Sequence, residues 1–118
     1  MSAATINLII EKGAKFNKQF IWKDSSNTPV DLSNYEARMQ IRETVDSATV
    51  IDELTTANGG ITLGGSAGTI DLYLGATETD AIAISSGVYD LEIYDPLDDD
   101  DVTRLVEGSI SIKTSVTR

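Results

Sequence analysis

The sequence predicts an all-β, antiparallel sandwich of seven or eight short strands with one short helical turn, on three observations. Apolar and polar residues alternate with period two, most clearly at residues 85–95 and 104–113, and successive strand side chains point to opposite faces. Turn-forming clusters such as Asn58-Gly59-Gly60 and Gly64-Gly65-Ser66 separate the patterned runs, the punctuation of an all-β domain. Amphipathic helices long enough to cross between parallel strands are missing from the pattern, which argues against an α/β arrangement.

Residues 5–10 are β-rich and end at the turn Glu11-Lys12-Gly13-Ala14. Residues 16–23 read as a strand with Phe16, Lys18, Phe20 and Trp22 on one face and Asn17, Gln19 and Ile21 on the other. Lys18 interrupts the apolar face, but its stem can lie over a rim with the ammonium in water. Residues 24–29 form a turn by composition, because Asp, Asn and Ser bond the local backbone. In residues 36–42, Ala37, Met39 and Ile41 alternate with Arg38, Gln40 and Arg42, an amphipathic strand. Residues 49–54 suit either a short strand or an irregular edge segment.

Residues 61–63 form a short strand between glycine turns, and 68–74 follow with Ile70, Leu72 and Leu74 inward and Asp71 and Tyr73 outward. Residues 76–83 are the one helical segment, a turn or two capped by Thr77 or a neighbour. Such a helix is too short to be stable alone. Two final strands follow: Tyr89, Leu91 and Ile93 oppose Asp90, Glu92 and Tyr94, then Val106, Gly108, Ile110 and Ile112 oppose Glu107, Ser109, Ser111 and Lys113. The expected core comprises Phe20, Trp22, Met39, Ile41, Ile70, Leu72, Tyr89, Leu91, Ile110 and Ile112.

Composition narrows the function classes. The 118 residues fit a single domain spanning 1–118. Neither cysteine nor histidine is present, which removes disulfides, thiolate metal sites and the commonest general base. The formal charge of −10 repels a phosphate backbone, and Lys12, Lys15, Lys18 and Lys23 read more simply as residues that blunt a sheet edge. No apolar run approaches the roughly 20 residues that span a bilayer, and the first residues lack the basic leader of a signal peptide. A soluble, unprocessed chain is expected.

Candidate sites are correspondingly few. The run Leu97-Asp98-Asp99-Asp100-Asp101 lacks the spaced acids and central glycine of a calcium loop and reads as a metal-free, mobile hairpin tip. Asp90 and Glu92 alternate outward as surface residues, and Ser85, Ser86, Ser109 and Ser111 have no histidine to activate them. We therefore expect no catalytic, cofactor-binding or metal-ligating residues. The remaining candidates are for an interface. Ile6, Leu8 and Ile10 make the first strand more apolar than a solvated edge tolerates, Tyr73 and Tyr94 project outward, and Val116 lies in a β-like terminal run. An unpaired strand is a template for another chain, so multimeric assembly through sheet edges or chain ends is expected.

The order of phrases carries a resemblance. Phe20-Ile21-Trp22 leads to Asn27-Thr28-Pro29-Val30-Asp31-Leu32-Ser33, then Ala37-Arg38-Met39-Gln40-Ile41-Arg42. Gly60-Ile61-Thr62-Leu63 and Gly68-Thr69-Ile70-Asp71-Leu72 follow, then Ser86-Gly87-Val88-Tyr89-Asp90-Leu91 and finally Val106-Glu107-Gly108-Ser109-Ile110. Across nearly the whole chain this resembles small tailed-phage virion proteins, similar to the immunoglobulin-like amino-terminal domain of upper baseplate proteins. The resemblance implies an immunoglobulin-like sandwich and a non-enzymatic structural or adaptor subunit. It would be made in the host cytoplasm and reside in the virion, bound to other virion proteins in the tail, neck or baseplate. The fibre-like continuation of baseplate proteins is missing here. A capsid decoration protein and a carbohydrate-binding host-attachment module are the alternatives. Nucleic acid, membrane and small-molecule substrates are not expected partners.

Overall fold

The computed structural model describes residues 4–114. Among the described residues, nine strands and one α-helix occur in the order β1 (Ala4–Thr5), β2 (Leu8–Glu11), β3 (Phe16–Ile21), β4 (Glu36–Arg42), β5 (Asp52–Thr55), β6 (Ile61–Leu63), β7 (Thr69–Leu74), α1 (Ala76–Asp80), β8 (Ser86–Asp95) and β9 (Asp98–Lys113). The strands form two packed sheets. The larger runs β1-β9-β8-β4-β5 with β2 also on β9, and the smaller runs β3-β7-β6.

Alternation fixes which faces meet. Ala37, Met39 and Ile41 of β4 and Leu91 and Ile93 of β8 are buried from the large sheet, and Phe20, Ile70 and Leu72 from the small one. All belong to one apolar cluster. Of the expected core residues, Trp22 and Ile112 are only partly buried, because Trp22 lies just past the end of β3 and Ile112 near the end of β9, and both pack on the rim of that cluster. With no cysteine in the chain, apolar burial rather than a covalent bridge joins the sheets.

Three expectations are corrected. First, residues 5–10 are not one strand in an antiparallel sheet. The segment breaks at Ile6-Asn7, and both halves run parallel to β9, with Ala4 opposite Val106 and Leu8 opposite Ile110. The break is bonded on all sides. Ile6 donates its N–H to the Glu107 carbonyl at 2.9 Å, the Tyr89 hydroxyl donates to the Ile6 carbonyl at 2.6 Å, and Ser109 N–H donates to Asn7 Oδ1 at 3.1 Å. Gly108 permits this approach, since a Cβ there would lie 2.1 Å from the Ile6 carbonyl oxygen.

Second, the acidic run is not the hairpin tip. Pro96 and Leu97 make the turn, and residues 98–101 begin the long arm of β9, where Asp98 pairs with Asp95. Asp101 accepts the Tyr35 hydroxyl at 2.9 Å. Third, Thr77 does not cap α1. The N-cap is Gly75 without a side-chain bond, and the buried threonine is Thr79, whose hydroxyl donates to the Ala14 carbonyl and accepts Gly13 N–H. Thr79 thus pins the β2–β3 turn to α1. Of the two readings left open for residues 49–54, the short strand is the one found: β5 pairs antiparallel to β4 and runs on to Thr55.

Candidate docking surface

Three surfaces were candidates from the alternation: the outer faces of the two sheets and their free edges. The outer face of the large sheet is a charge ladder. Arg38 Nε lies 2.8 Å from Glu92 Oε1 across β4 and β8, and Arg104 Nε lies 3.4 Å from Asp90 Oδ2 across β9 and β8. The Arg38 guanidinium also covers the Tyr94 ring at 4.4 Å from its centroid, a cation–π contact. Arg42 donates to the Ser47 carbonyl and to Gln40 Oε1. A shallow concavity of about 410 Å³ opens here between Arg42, Val88, Asp90 and Arg104. Partial burial raises the Asp90 carboxyl above its usual range, while the Arg104 charge opposes that shift.

The outer face of the small sheet is sparser. Tyr73 is 46% exposed and faces Asn17 across β3–β7, while Ile21, 53% exposed, lies at the far end of the same strand pair opposite Thr69. Tyr73 and Tyr94 therefore belong to opposite sheets and form no common patch, since β7 and β8 do not pair.

The edges differ most. Leu8 and Ile10 are 5% and 0% exposed, so their side chains serve the core. Their apolar character reflects the burial of β2 beside β9, which the sequence alone did not reveal. Ile6 is half-buried against the core, and Ile9, on the opposite side of β2, is the exposed one at 60%. Val116 lies outside the described residues. The first strand covers β9, so among the described residues β3 has β7 as its single sheet neighbour.

Beside β3 the space between the sheets opens to solvent in two concavities. One, of about 460 Å³, lies between Leu8, Ile9, Phe16, Lys18 and Lys113; the other, of about 360 Å³, between Ile6, Phe20, Trp22, Lys23 and Leu105. Lys18 sits on the inner face with Phe16 and Phe20 and stays exposed, its Nζ 5.8 Å from the Phe20 ring centroid. Leu105 reaches this rim because β9 slips register there, Val106 opposing Leu91 while Arg104 opposes Glu92. Lys18 within an otherwise apolar alternation was the one sequence signal for this cleft.

Among the described residues no group of three or more carboxylates converges as a metal site, Asp98 to Asp101 included. Asp90 and Glu92, on the outer face of β8, have arginines as partners.

No family model matches the chain, and no curated protein matches it. Among solved structures it is similar to the extracellular domain of the voltage-gated sodium channel beta4 subunit, described as a parallel homodimer with a role in cell–cell adhesion. The TM-score is 0.54 at 9% identity, covering 98% of this chain and 97% of that one. The likeness establishes the fold: this is an all-β immunoglobulin-like sandwich. Two hallmarks of antibody domains are replaced, because the inter-sheet disulfide has no cysteines to form it and the tryptophan lies after β3 rather than in the middle of the large sheet.

Proposed function

We propose that the chain is a non-enzymatic structural or adaptor subunit of a tailed-phage virion, working by docking onto other proteins in the tail, neck or baseplate. The observation that carries the reading is the coincidence of an immunoglobulin-like sandwich over almost the whole chain with the ordered phrases that resemble phage virion proteins. Those phrases are architectural. Val30 donates its N–H to the Trp22 carbonyl and Leu32 donates to the Gly65 carbonyl, so the Pro29-Val30-Asp31-Leu32 phrase ties the end of β3 to the turn before β7. In the Gly87-to-Leu91 phrase, Tyr89 holds the break between β1 and β2 and Leu91 is fully buried. A sequence without histidine or cysteine also lacks the usual nucleophile–base pairs. The homodimeric, adhesive neighbour fits a fold that acts through its surfaces.

The test is the copy number of the protein in purified particles, by quantitative mass spectrometry. A number set by tail symmetry supports the adaptor, whereas one set by the capsid lattice transfers the reading to a decoration protein. Complete absence from particles overturns it, and saturable binding on a glycan array moves it to a carbohydrate-binding module.

A further inference from the structure

We propose that the open edge of β3 is a strand-docking site for an extended segment of another polypeptide, one that presents a carboxylate between two apolar side chains toward the cleft. The inference rests on the docking function proposed above and specifies where the contact is made and with what chemistry. Its first support is the backbone. Trp22 N–H bonds the Gly68 carbonyl and Tyr73 N–H bonds the Gly60 carbonyl, which fixes the alternation along β3 and β7. Lys18 and Phe20 consequently pair with β7, while Asn17, Gln19 and Ile21 turn their N–H and C=O groups away from the sheet. An added strand takes such groups as its ladder partners.

The second support is the cleft behind that edge. A strand added to β3 places alternate side chains against Phe16, Lys18 and Phe20, so its inward pattern must be apolar, acidic, apolar. An apolar residue opposite Lys18 would desolvate the ammonium without a partner, which is costly. Two copies of β3 paired in the register that sets Asn17 opposite Gln19 would bring their Lys18 ammonium groups together, and like charges across a strand pair are unfavourable. The lysine therefore disfavours a second copy in that register and selects a carboxylate.

The third support is how the cations are divided. Both ion pairs among the described residues use arginine, on the outer face of the large sheet. Four of the five lysines lie elsewhere: Lys15, Lys18 and Lys113 line one concavity, with Glu11 as its one acid, and Lys23 lines the other. In a chain of net charge −10, this side is the one that attracts an acidic segment.

Two synthetic peptides test the proposal, Thr-Val-Thr-Glu-Thr-Val-Thr and the same peptide with Lys in place of Glu, each titrated into isotope-labelled protein. The glutamate peptide is expected to bind at least about tenfold more tightly than the lysine peptide, with amide shifts centred on Asn17, Gln19 and Ile21. Lys18→Glu should invert that preference. Gln19→Pro, which removes an outward N–H but no ladder bond, should abolish binding while the melting curve still shows a folded domain. Equal binding of the two peptides, shifts centred on another surface, or no binding of the glutamate peptide would each overturn the proposal. Particle incorporation separates this failure from failure of the function itself. Wild type missing from particles refutes the virion reading, whereas equal incorporation of wild type and Lys18→Glu refutes only the β3 site.

Discussion

The two sheets handle charge in opposite ways. On the large sheet, arginines are committed: Arg38 to Glu92 and Tyr94, Arg104 to Asp90, Arg42 to Ser47 and Gln40. Its β9 edge is covered by the first strand. On the small sheet, β3 ends the ladder with a lysine on its buried face. A planar guanidinium is suited to fixed, forked contacts, and an ammonium on a flexible stem to a site whose partner changes. The outer face of the large sheet thus carries the paired charges, whereas the lysine beside the β3 edge makes no ion pair among the described residues.

The largest test of this contrast is in the core. Leu91→Ala and Ile110→Ala on the large sheet, and Ile70→Ala on the small one, should each cost about 2–5 kcal/mol, because all three are fully buried. Denaturant midpoints measure this. A much smaller cost for Ile70→Ala would mean that the small sheet is loosely held, and the contrast would then be one of stability rather than of surface design.

Next, Gly108→Ala should cost about 1–3 kcal/mol by overpacking, since the added methyl meets the Ile6 carbonyl. Hydrogen exchange should show β1 and β2 loosened and β3-β7-β6 protected as before. Uniform loss of protection would show that the covering of β9 and the small sheet are not separable.

Tyr89→Phe leaves the Ile6 carbonyl without its hydroxyl donor and should cost on the order of 1 kcal/mol. Burial pushes the Tyr89 hydroxyl up to about 12, above the ordinary value of about 10 for tyrosine. The folded state therefore favours the neutral phenol. That contribution is complete below the unfolded value and is lost as pH rises through the folded one. Melting temperature should fall between about pH 10 and 12, less steeply in Tyr89→Phe, and an unchanged slope would remove Tyr89 from the account.

The smallest effect is expected at the surface. Arg38→Ala should cost about 0.2–1 kcal/mol, and less at high salt, because the pair with Glu92 is exposed. Lys18→Ala should leave stability nearly unchanged, as its stem only covers a rim. A large loss on Lys18→Ala would make the lysine a structural strut and weaken its role at the edge.

Local patterning made most of the strands legible. The alternations at Ala37-Met39-Ile41, Ile70-Leu72-Leu74 and Tyr89-Leu91-Ile93 became β4, β7 and β8 with the expected inward faces. Pairing between distant segments was not legible. Nothing local to Leu8 and Ile10 distinguishes a strand that offers an apolar edge from one already buried beside β9, some hundred positions away. Nor does alternation show that the outward Tyr73 and Tyr94 belong to different sheets. The acidic run was misplaced because its composition resembles a turn, whereas Pro96-Leu97 makes the reversal and Tyr35 holds Asp101 beyond it. Of the candidate site, only Lys18 within its apolar alternation was visible beforehand.

The parallel register of β2 and β9 has a mechanical consequence. Leu8 to Glu11 run alongside Ile110 to Lys113, and the ladder continues through the Ile6 and Lys12 amides. Tension that pulls β2 backward along its own path and β9 forward along its path slides these strands past each other. The load then falls on the whole row of bonds together instead of opening them one after another as in a peeled hairpin. Forced rupture is set by the unfolding rate, and here no covalent staple shares the load with that row of bonds.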